Sequence, residues 1–263
     1  MKNRIDNCFA RLRSEKRRGF IPYICAGDPD LTRTVDLSLA LEKAGADILE
    51  LGLPFSDPLA DGIVNQLAAQ RALQAGATVR GVLDCVGELR KRSEIPIVLY
   101  TYMNPIFQFG LEQFHREAAA AGVDGLLILD LPPEEDFDLE TGNLVHVRLV
   151  APTTPPERVA EIAKGAKGFL YYVSREGVTG VREKIASSLA DKVAQLRQFS
   201  ALPIAVGFGI STPEQAREVA QQADAVVVGS AIVNEIAKHG AEADLVERVL
   251  ATVKPMIDAV RTG

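Results

Sequence analysis

Four carboxylates, Asp47, Glu50, Asp57 and Asp61, crowd one short stretch of this chain, ADILELGLPFSDPLADG from Ala46 to Gly62. Glu50 lies inside an apolar run, with Ile48, Leu49 and Leu51 around it, and Asp57 and Asp61 lie in the loop that follows. Burying an unpaired carboxylate costs several kcal/mol or forces the group to stay protonated. Glu50 therefore needs either a partner or a chemical role. Two carboxyl groups in unlike surroundings take different protonation states, the usual division into acid and base. Structural alternatives stand beside this reading. Glu50 could pair with an inward arginine, and Asp61 could be a turn residue before Gly62.

A second kind of chemistry is written in glycines. The segment GFGIS carries Gly207 and Gly209, which let backbone N–H groups approach a ligand closely. Further on, Gly229 and Ser230 open a helical stretch, Ala231 to Lys238, whose N-terminus offers unpaired N–H groups and a favourable dipole. Gly180, in GVTG, supplies another N–H. Together these predict a phosphate site built from backbone, with no lysine or arginine required. Taken singly, each glycine would be no more than a tight turn.

These groups must be held by regular elements. A local pattern recurs: a helical stretch, a small-residue break, then an apolar run, as in EKAGADILEL, AAAGVDGLLIL, AKGAKGFLYYV and AQQADAVVVG. The runs are apolar throughout rather than alternating, as strands buried on both faces are. Eight strands are predicted, near residues 20–25, 46–51, 95–100, 125–130, 144–150, 168–173, 203–207 and 224–229. Helical stretches between them include Leu31 to Lys43, Leu111 to Ala121, Pro156 to Ala163 and Pro213 to Gln221. The expected fold is α/β: a single (β/α)8 TIM barrel domain over residues 1–263, with an extra N-terminal helix and an extra short helix after strand eight. A doubly wound open sheet is the alternative, weakened because no G-x-G-x-x-G follows the first strand. The segment LPPEEDFDLETGN is acidic and short, so the fourth helix is expected to be reduced to about two turns at most. In such barrels the chemistry sits at the carboxyl ends of the strands, where Glu50, Asp61 and the glycines fall.

Composition narrows the partners. The chain has 263 residues, 47% hydrophobic and 24% charged, with a net charge of −6 and a pI near 5.3. This argues against a nucleic-acid or acidic-membrane partner. One basic cluster, Arg11, Arg13, Lys16, Arg17 and Arg18, reads as a solvated face. Cys8, Cys25 and Cys85 are sparse and unpatterned, which suggests reduced thiols and a cytoplasmic location. His115, His146 and His239 form no metal-ligand pattern and read as surface or structural residues, so no metal is expected. No apolar run approaches a membrane span, and none resembles a signal peptide.

The motifs LELGLPFSDPLADG, YICAGDPD, TYMNPIF, ILDLPPEE, LYYVSREGVTG, GFGISTPEQ and VVVGSAIV resemble the signature of the tryptophan synthase α subunit from about residue 18 to about 235. The resemblance implies a lyase cleaving indole-3-glycerol phosphate to indole and glyceraldehyde 3-phosphate, in tryptophan biosynthesis. It implies Glu50 and Asp61 as catalytic carboxylates and Tyr171 as an active-site tyrosine. Thr179 matches a threonine that orders Asp61 on loop closure. Gly180, Gly209, Gly229 and Ser230 match phosphate-binding positions, and Tyr23, Tyr100, Leu127 and Phe208 match the walls of an indole pocket. It implies no cofactor in this chain. The implied partner is a β subunit carrying pyridoxal phosphate, in an αββα heterotetramer, met through Asp57, Pro58, Asn104 and Pro132.

Cleavage of this kind requires protonation of the ring at C3 before the carbon–carbon bond breaks, because an indole carbanion is a poor leaving group. An ionised Asp61 would accept the ring N–H and stabilise its developing charge, while Glu50 would exchange protons with C3 and the glycerol hydroxyl. The sequence departs from the family pattern at Ile63, where proline is usual, and at Asn65, where an apolar residue is common. Competing readings are a free-standing lyase of the same chemistry, a catalytically silent activator of the β subunit, and another phosphate-binding barrel such as an epimerase. Retention of both Glu50 and Asp61 counts against the silent activator, and the absence of metal-ligating histidines at strand ends counts against the epimerase.

Overall fold

A computed structural model describes residues 3–135, 144–174, 182–207 and 209–263, with only the backbone of 182–188. Its strands are β1 (Gly19–Cys25), β2 (Leu49–Gly52), β3 (Ile97–Thr101), β4 (Gly125–Ile128), β5 (Val145–His146), β6 (Arg148–Val150), β7 (Leu170–Val173), β8 (Ile204–Gly207) and β9 (Ala225–Val228). The α-helices are α1 (Arg4–Ser14), α2 (Leu31–Ala44), α3 (Ile63–Gln74), α4 (Val79–Arg90), α5 (Met103–Phe109), α6 (Leu111–Ala121), α7 (Pro156–Gly165), α8 (Arg182–Phe199), α9 (Pro213–Ala220), α10 (Ser230–His239) and α11 (Leu245–Arg261). All strand pairs are parallel. The pairing order β5-β4-β3-β2-β1-β9-β8-β7-β6 begins and ends on neighbours in the chain. Only Val147 separates β5, which pairs with β4, from β6, which pairs with β7. They are two halves of the fifth predicted strand, and that strand closes the (β/α)8 barrel.

Side chains alternate across the barrel wall with period two. Leu49, Leu51, Ile97, Leu99, Leu126 and Val226 face the helix layer, while Ile21, Ile48, Val98, Leu127, Tyr171, Ala205 and Val227 fill the interior. Both faces are buried, which is why the runs read as uniformly apolar. The N-terminal helix closes the barrel floor, because Ile5, Cys8, Phe9 and Leu12 of α1 join the interior cluster. Small residues make room for it. A side chain at Gly125 would meet Ile5 at 2.9 Å, and one at Gly19 would meet Leu12 at 3.0 Å.

The recurring break before the strands also has a physical meaning. Asp47, Asp124 and Asp224 each stand just ahead of a strand and accept a backbone N–H from a neighbouring one: Phe20 at 3.1 Å, Ile97 at 2.9 Å and Ile204 at 2.9 Å. Each carboxylate is paired with arginine, Asp47 with Arg11 at 3.2 Å, Asp124 with Arg90 at 2.8 Å, and Asp224 with Arg197 at 3.0 Å. These bonds hold the chain in a turn, so β2, β4 and β9 lie within shorter spans than the apolar runs suggest. The basic cluster is a largely solvated face as expected, with Arg11, Arg13 and Lys16 exposed, and it also carries ion pairs. Arg11 and Arg17 pair with Asp47, and Arg18 pairs with Asp224.

Of the segment expected to hold a reduced fourth helix, the described part is one 3-10 turn, Pro133–Glu135; its remaining residues, 136–143, lie outside the described ones. Two helices, α3 and α4, separate β2 from β3, and α10 is the extra helix after the last strand. His115 is buried and stacks on His146, a structural pair under α6 rather than a surface residue. All three cysteines are buried free thiols. Among the described residues no helix is long and apolar enough to cross a membrane.

Candidate active site

Glu50 occupies the inward face of β2, in register with Tyr23 of β1 and Val98 of β3. It is 2% exposed. Burial, and secondarily the charge of Asp61, push its carboxyl up to about 8. No arginine or other hydrogen-bonding group meets it among the described residues, so the ion-pair alternative for Glu50 has no support there. At neutral pH this carboxyl carries a proton, and it faces the barrel mouth.

Asp61 comes from the loop between β2 and α3, and its backbone does form a turn, Asp61 N–H donating to Pro58 C=O at 3.0 Å. Its side chain does something else. Tyr100 Oη donates to Oδ1 at 2.6 Å and Tyr102 Oη donates to Oδ2 at 2.9 Å, and the Asn65 side chain also hydrogen-bonds the carboxylate. The Tyr102 oxygen in turn accepts the Ala60 N–H at 3.0 Å, and its ring packs 5.4 Å from that of Phe55, so the loop is tied to the end of β3 at two points. Burial raises the proton affinity of Asp61, and the three donors oppose that rise. Burial and the Asp61 charge hold both phenols protonated, as donors.

Tyr23 and Tyr171 lean inward over neighbouring strands, and glycine makes this possible. A side chain at Gly207 would collide with the Tyr171 hydroxyl, and one at Gly52 would meet that of Tyr23 at 2.5 Å. This corrects the reading of Gly207 as a residue freeing backbone for a ligand: its missing side chain houses Tyr171. The Tyr23 and Tyr100 rings meet edge to face, centroids 5.2 Å apart. Leu127 is fully buried in the interior layer, and Leu129, Leu149 and Val173 stand half-buried above it. Leu129 and Leu149 are candidate wall residues missed in the sequence; their positions two residues beyond Leu127 and Val147 on inward faces were the available signal.

Val227 pairs with Gly207, so the chain leaving β8 toward Gly209 runs beside the chain leaving β9 toward Gly229. Gly209 has φ +74°, a conformation that disfavours any side chain. Gly229 precedes α10 without a side-chain cap bond, and Ser230 is exposed at the first position of that helix. Thr179, Gly180 and Phe208 lie outside the described residues.

Asp57, Pro58, Asn104 and Pro132 fall on loops or helix starts after β2, β3 and β4, three adjacent strands. Around them stand apolar side chains that sequence reading missed: Leu59 at 90% exposure, Phe107 at 67% and Ile63 at 66%. A groove of about 560 Å³ runs along the outer side of α3 between Phe55, Pro58, Ile63, Leu67 and Leu73.

A closed barrel with a protonated carboxyl in its mouth, facing an aspartate held by phenols, is built for acid–base catalysis. The family model of the tryptophan synthase alpha chain matches residues 9–261. A tryptophan synthase alpha chain of Opitutus terrae is 51% identical over 255 residues, 95% of this chain and 96% of that one. That of Caulobacter sp. strain K31 is 48% identical over 268 residues, 100% of this chain and 98% of that one. The crystal structure of tryptophan synthase subunit alpha from Legionella pneumophila superposes with a TM-score of 0.89 at 41% identity, covering 100% of both chains. The chain belongs to the tryptophan synthase alpha chain family. Its reaction is the lyase cleavage of indole-3-glycerol phosphate to indole and glyceraldehyde 3-phosphate, in tryptophan biosynthesis.

Proposed function

We propose that Glu50 and Asp61 carry out this cleavage between them, without a cofactor in this chain. Glu50, protonated at neutral pH, gives its proton to C3 of the indole ring. The ring nitrogen becomes cationic, and the Asp61 carboxylate accepts its N–H and stabilises the charge. Glu50, now a carboxylate, takes the proton of the glycerol hydroxyl next to the ring. The O–H electron pair becomes the carbonyl of glyceraldehyde 3-phosphate, the carbon–carbon bond breaks, and its electrons return to the ring to give neutral indole. Tyr23, Tyr100, Tyr171, Leu127 and Phe208 wall the ring site, and Thr179 holds Asp61 when the site closes. The observation carrying this reading is the unlike setting of the two carboxyls, Glu50 buried without a partner among the described residues and Asp61 held by hydroxyl donors. Its direct test is indole release from indole-3-glycerol phosphate, which Glu50 and Asp61 variants should lose.

The substrate phosphate binds at Gly180, Gly209, Gly229 and Ser230, on backbone N–H groups and the N-terminus of α10. Gly229→Ala tests this without disturbing the fold, because the added methyl meets Tyr23 at 3.4 Å, an ordinary contact. It should raise KM about tenfold, because the methyl obstructs the close approach of phosphate to the backbone N–H groups, with an unchanged melting temperature. An unchanged KM would remove Gly229 from the phosphate site.

The chain works with a β subunit, in an αββα heterotetramer, in the cytoplasm. The exposed apolar side chains Leu59, Ile63 and Phe107, beside Asp57, Pro58, Asn104 and Pro132, support a docking face there. Asp57→Ala should weaken activation by the β subunit and leave basal cleavage within about twofold, since Asp57 is exposed and surface changes away from the site have small effects. Failure of the two subunits to co-elute on sizing would favour a free-standing lyase.

A further inference from the structure

We propose that Tyr100 and Asn65 are positioning residues for this reaction, forming with Tyr102 a three-donor cradle that turns the Asp61 carboxylate into the barrel mouth and keeps it ionised before substrate arrives. The proposal rests on Asp61 being the group that accepts the ring N–H.

Little in the Asp61 loop itself fixes that side chain. Its neighbours Leu59 and Ala60 are exposed, Leu59 at 90%. The hold comes from outside the loop. Tyr100 takes Oδ1 and Tyr102 takes Oδ2, at 2.6 and 2.9 Å, one phenol on each oxygen. Two anchors on different oxygens fix the carboxylate plane as well as its position. Both phenols belong to β3 and its immediate continuation, so they are as rigid as the barrel wall. Asn65, in the first turn of α3, adds a third side-chain donor that favours the ionised carboxylate.

The resemblance marks Tyr100 as a pocket wall and Asn65 as a position where an apolar residue is common. The geometry gives both a polar role. Among the described residues, the other titratable groups facing Asp61 are Glu50 on β2, Tyr23 and Cys25 on β1 and Tyr171 on β7. None carries a positive charge. Burial raises the proton affinity of Asp61, and only hydrogen-bond donors oppose that. Removing a donor therefore makes Asp61 easier to protonate, and protonated Asp61 cannot stabilise the ring cation.

The measurement is the pH profile of kcat for indole release by the full chain, wild type against Tyr100→Phe and Asn65→Leu. Tyr100→Phe keeps the ring and removes only the hydroxyl. The acid limb should move alkaline by about half to one pH unit in each variant. At the wild type's acid midpoint kcat should fall several-fold, and it should recover toward neutral pH, with KM within about threefold. A residue that only shapes the pocket would raise KM or lower stability and leave the limb in place. An unmoved limb in a folded Tyr100→Phe overturns the cradle. Asp61→Asn separates the two levels: if it still cleaves substrate, the underlying assignment of Asp61 fails; if it is silent while the Tyr100→Phe limb is unmoved, only the cradle does.

Discussion

Glu50→Gln is expected to bind indole-3-glycerol phosphate and to cleave it at least ~100-fold more slowly than the wild type, the low end for loss of a general acid–base. Glutamine keeps the shape but cannot pass a proton to C3 or receive one from the hydroxyl. The same variant reports on stability. An unfolded glutamate titrates near 4.5, whereas folded Glu50 is pushed up to about 8. Between those values the unfolded chain releases a proton that the folded chain keeps, so folding loses stability as pH rises through that window. Glutamine does not titrate. Its unfolding free energy relative to wild type should therefore grow between pH 5 and pH 8, by on the order of 2–4 kcal/mol. Denaturant melts of both proteins across that range measure it. A variant that cleaves normally, or whose relative stability is flat with pH, would show that Glu50 neither transfers the proton nor carries a shifted carboxyl. The wild-type profile for cleavage should correspondingly fall above about pH 8, as Glu50 loses its proton.

How much of this could be read from residues alone follows from where each constraint lies. Barrel strands are buried on both faces, so their apolar runs stood out, and eight of them alternating with helical stretches pointed to a barrel. Glu50 was conspicuous because a charge in such a run is costly. Gly209 and Gly229 were conspicuous because they follow the last two strands of that rhythm. What escaped notice depends on contacts between distant segments. Asp47, Asp124 and Asp224 drew no attention, yet each ends a turn by binding a backbone N–H of a neighbouring strand. The ion pairs of Arg11 and Arg17 escaped notice because their partner, Asp47, is remote in sequence. Gly207 was read from its own backbone freedom, when its role is to leave space for a tyrosine on β7. Tyr100 could be placed at the pocket by resemblance, but its hydroxyl bond to Asp61 spans 39 positions of chain and needs β2 and β3 to be paired.

Asp61→Asn should lower cleavage by about 10²–10³-fold, the usual loss when a preorganised partner for developing charge is removed. The neutral amide presents one oxygen and one NH2 where the carboxylate presented two acceptors. Tyr100 and Tyr102 each donate to a separate oxygen of Asp61, so one phenol must lose its acceptor or turn away. The loss is local: the turn to Pro58 is made by backbone and Ala60 N–H, not the Asp61 side chain, donates to Tyr102 Oη, and the global unfolding free energy should shift by no more than about 1–2 kcal/mol. A second consequence reaches Glu50. The Asp61 charge is one of two causes that raise the Glu50 carboxyl, burial being the larger. Without that charge Glu50 should still titrate well above an ordinary glutamate, but lower than in the wild type. The alkaline end of the pH-dependent stability window should therefore move toward acid in Asp61→Asn while its low end stays in place. Stability measured against pH in Asp61→Asn and in Glu50→Gln separates the two effects. If Asp61→Asn leaves the window where it was, the two carboxyls do not sense each other, and the division of labour between a protonated Glu50 and an ionised Asp61 would have to rest on burial alone.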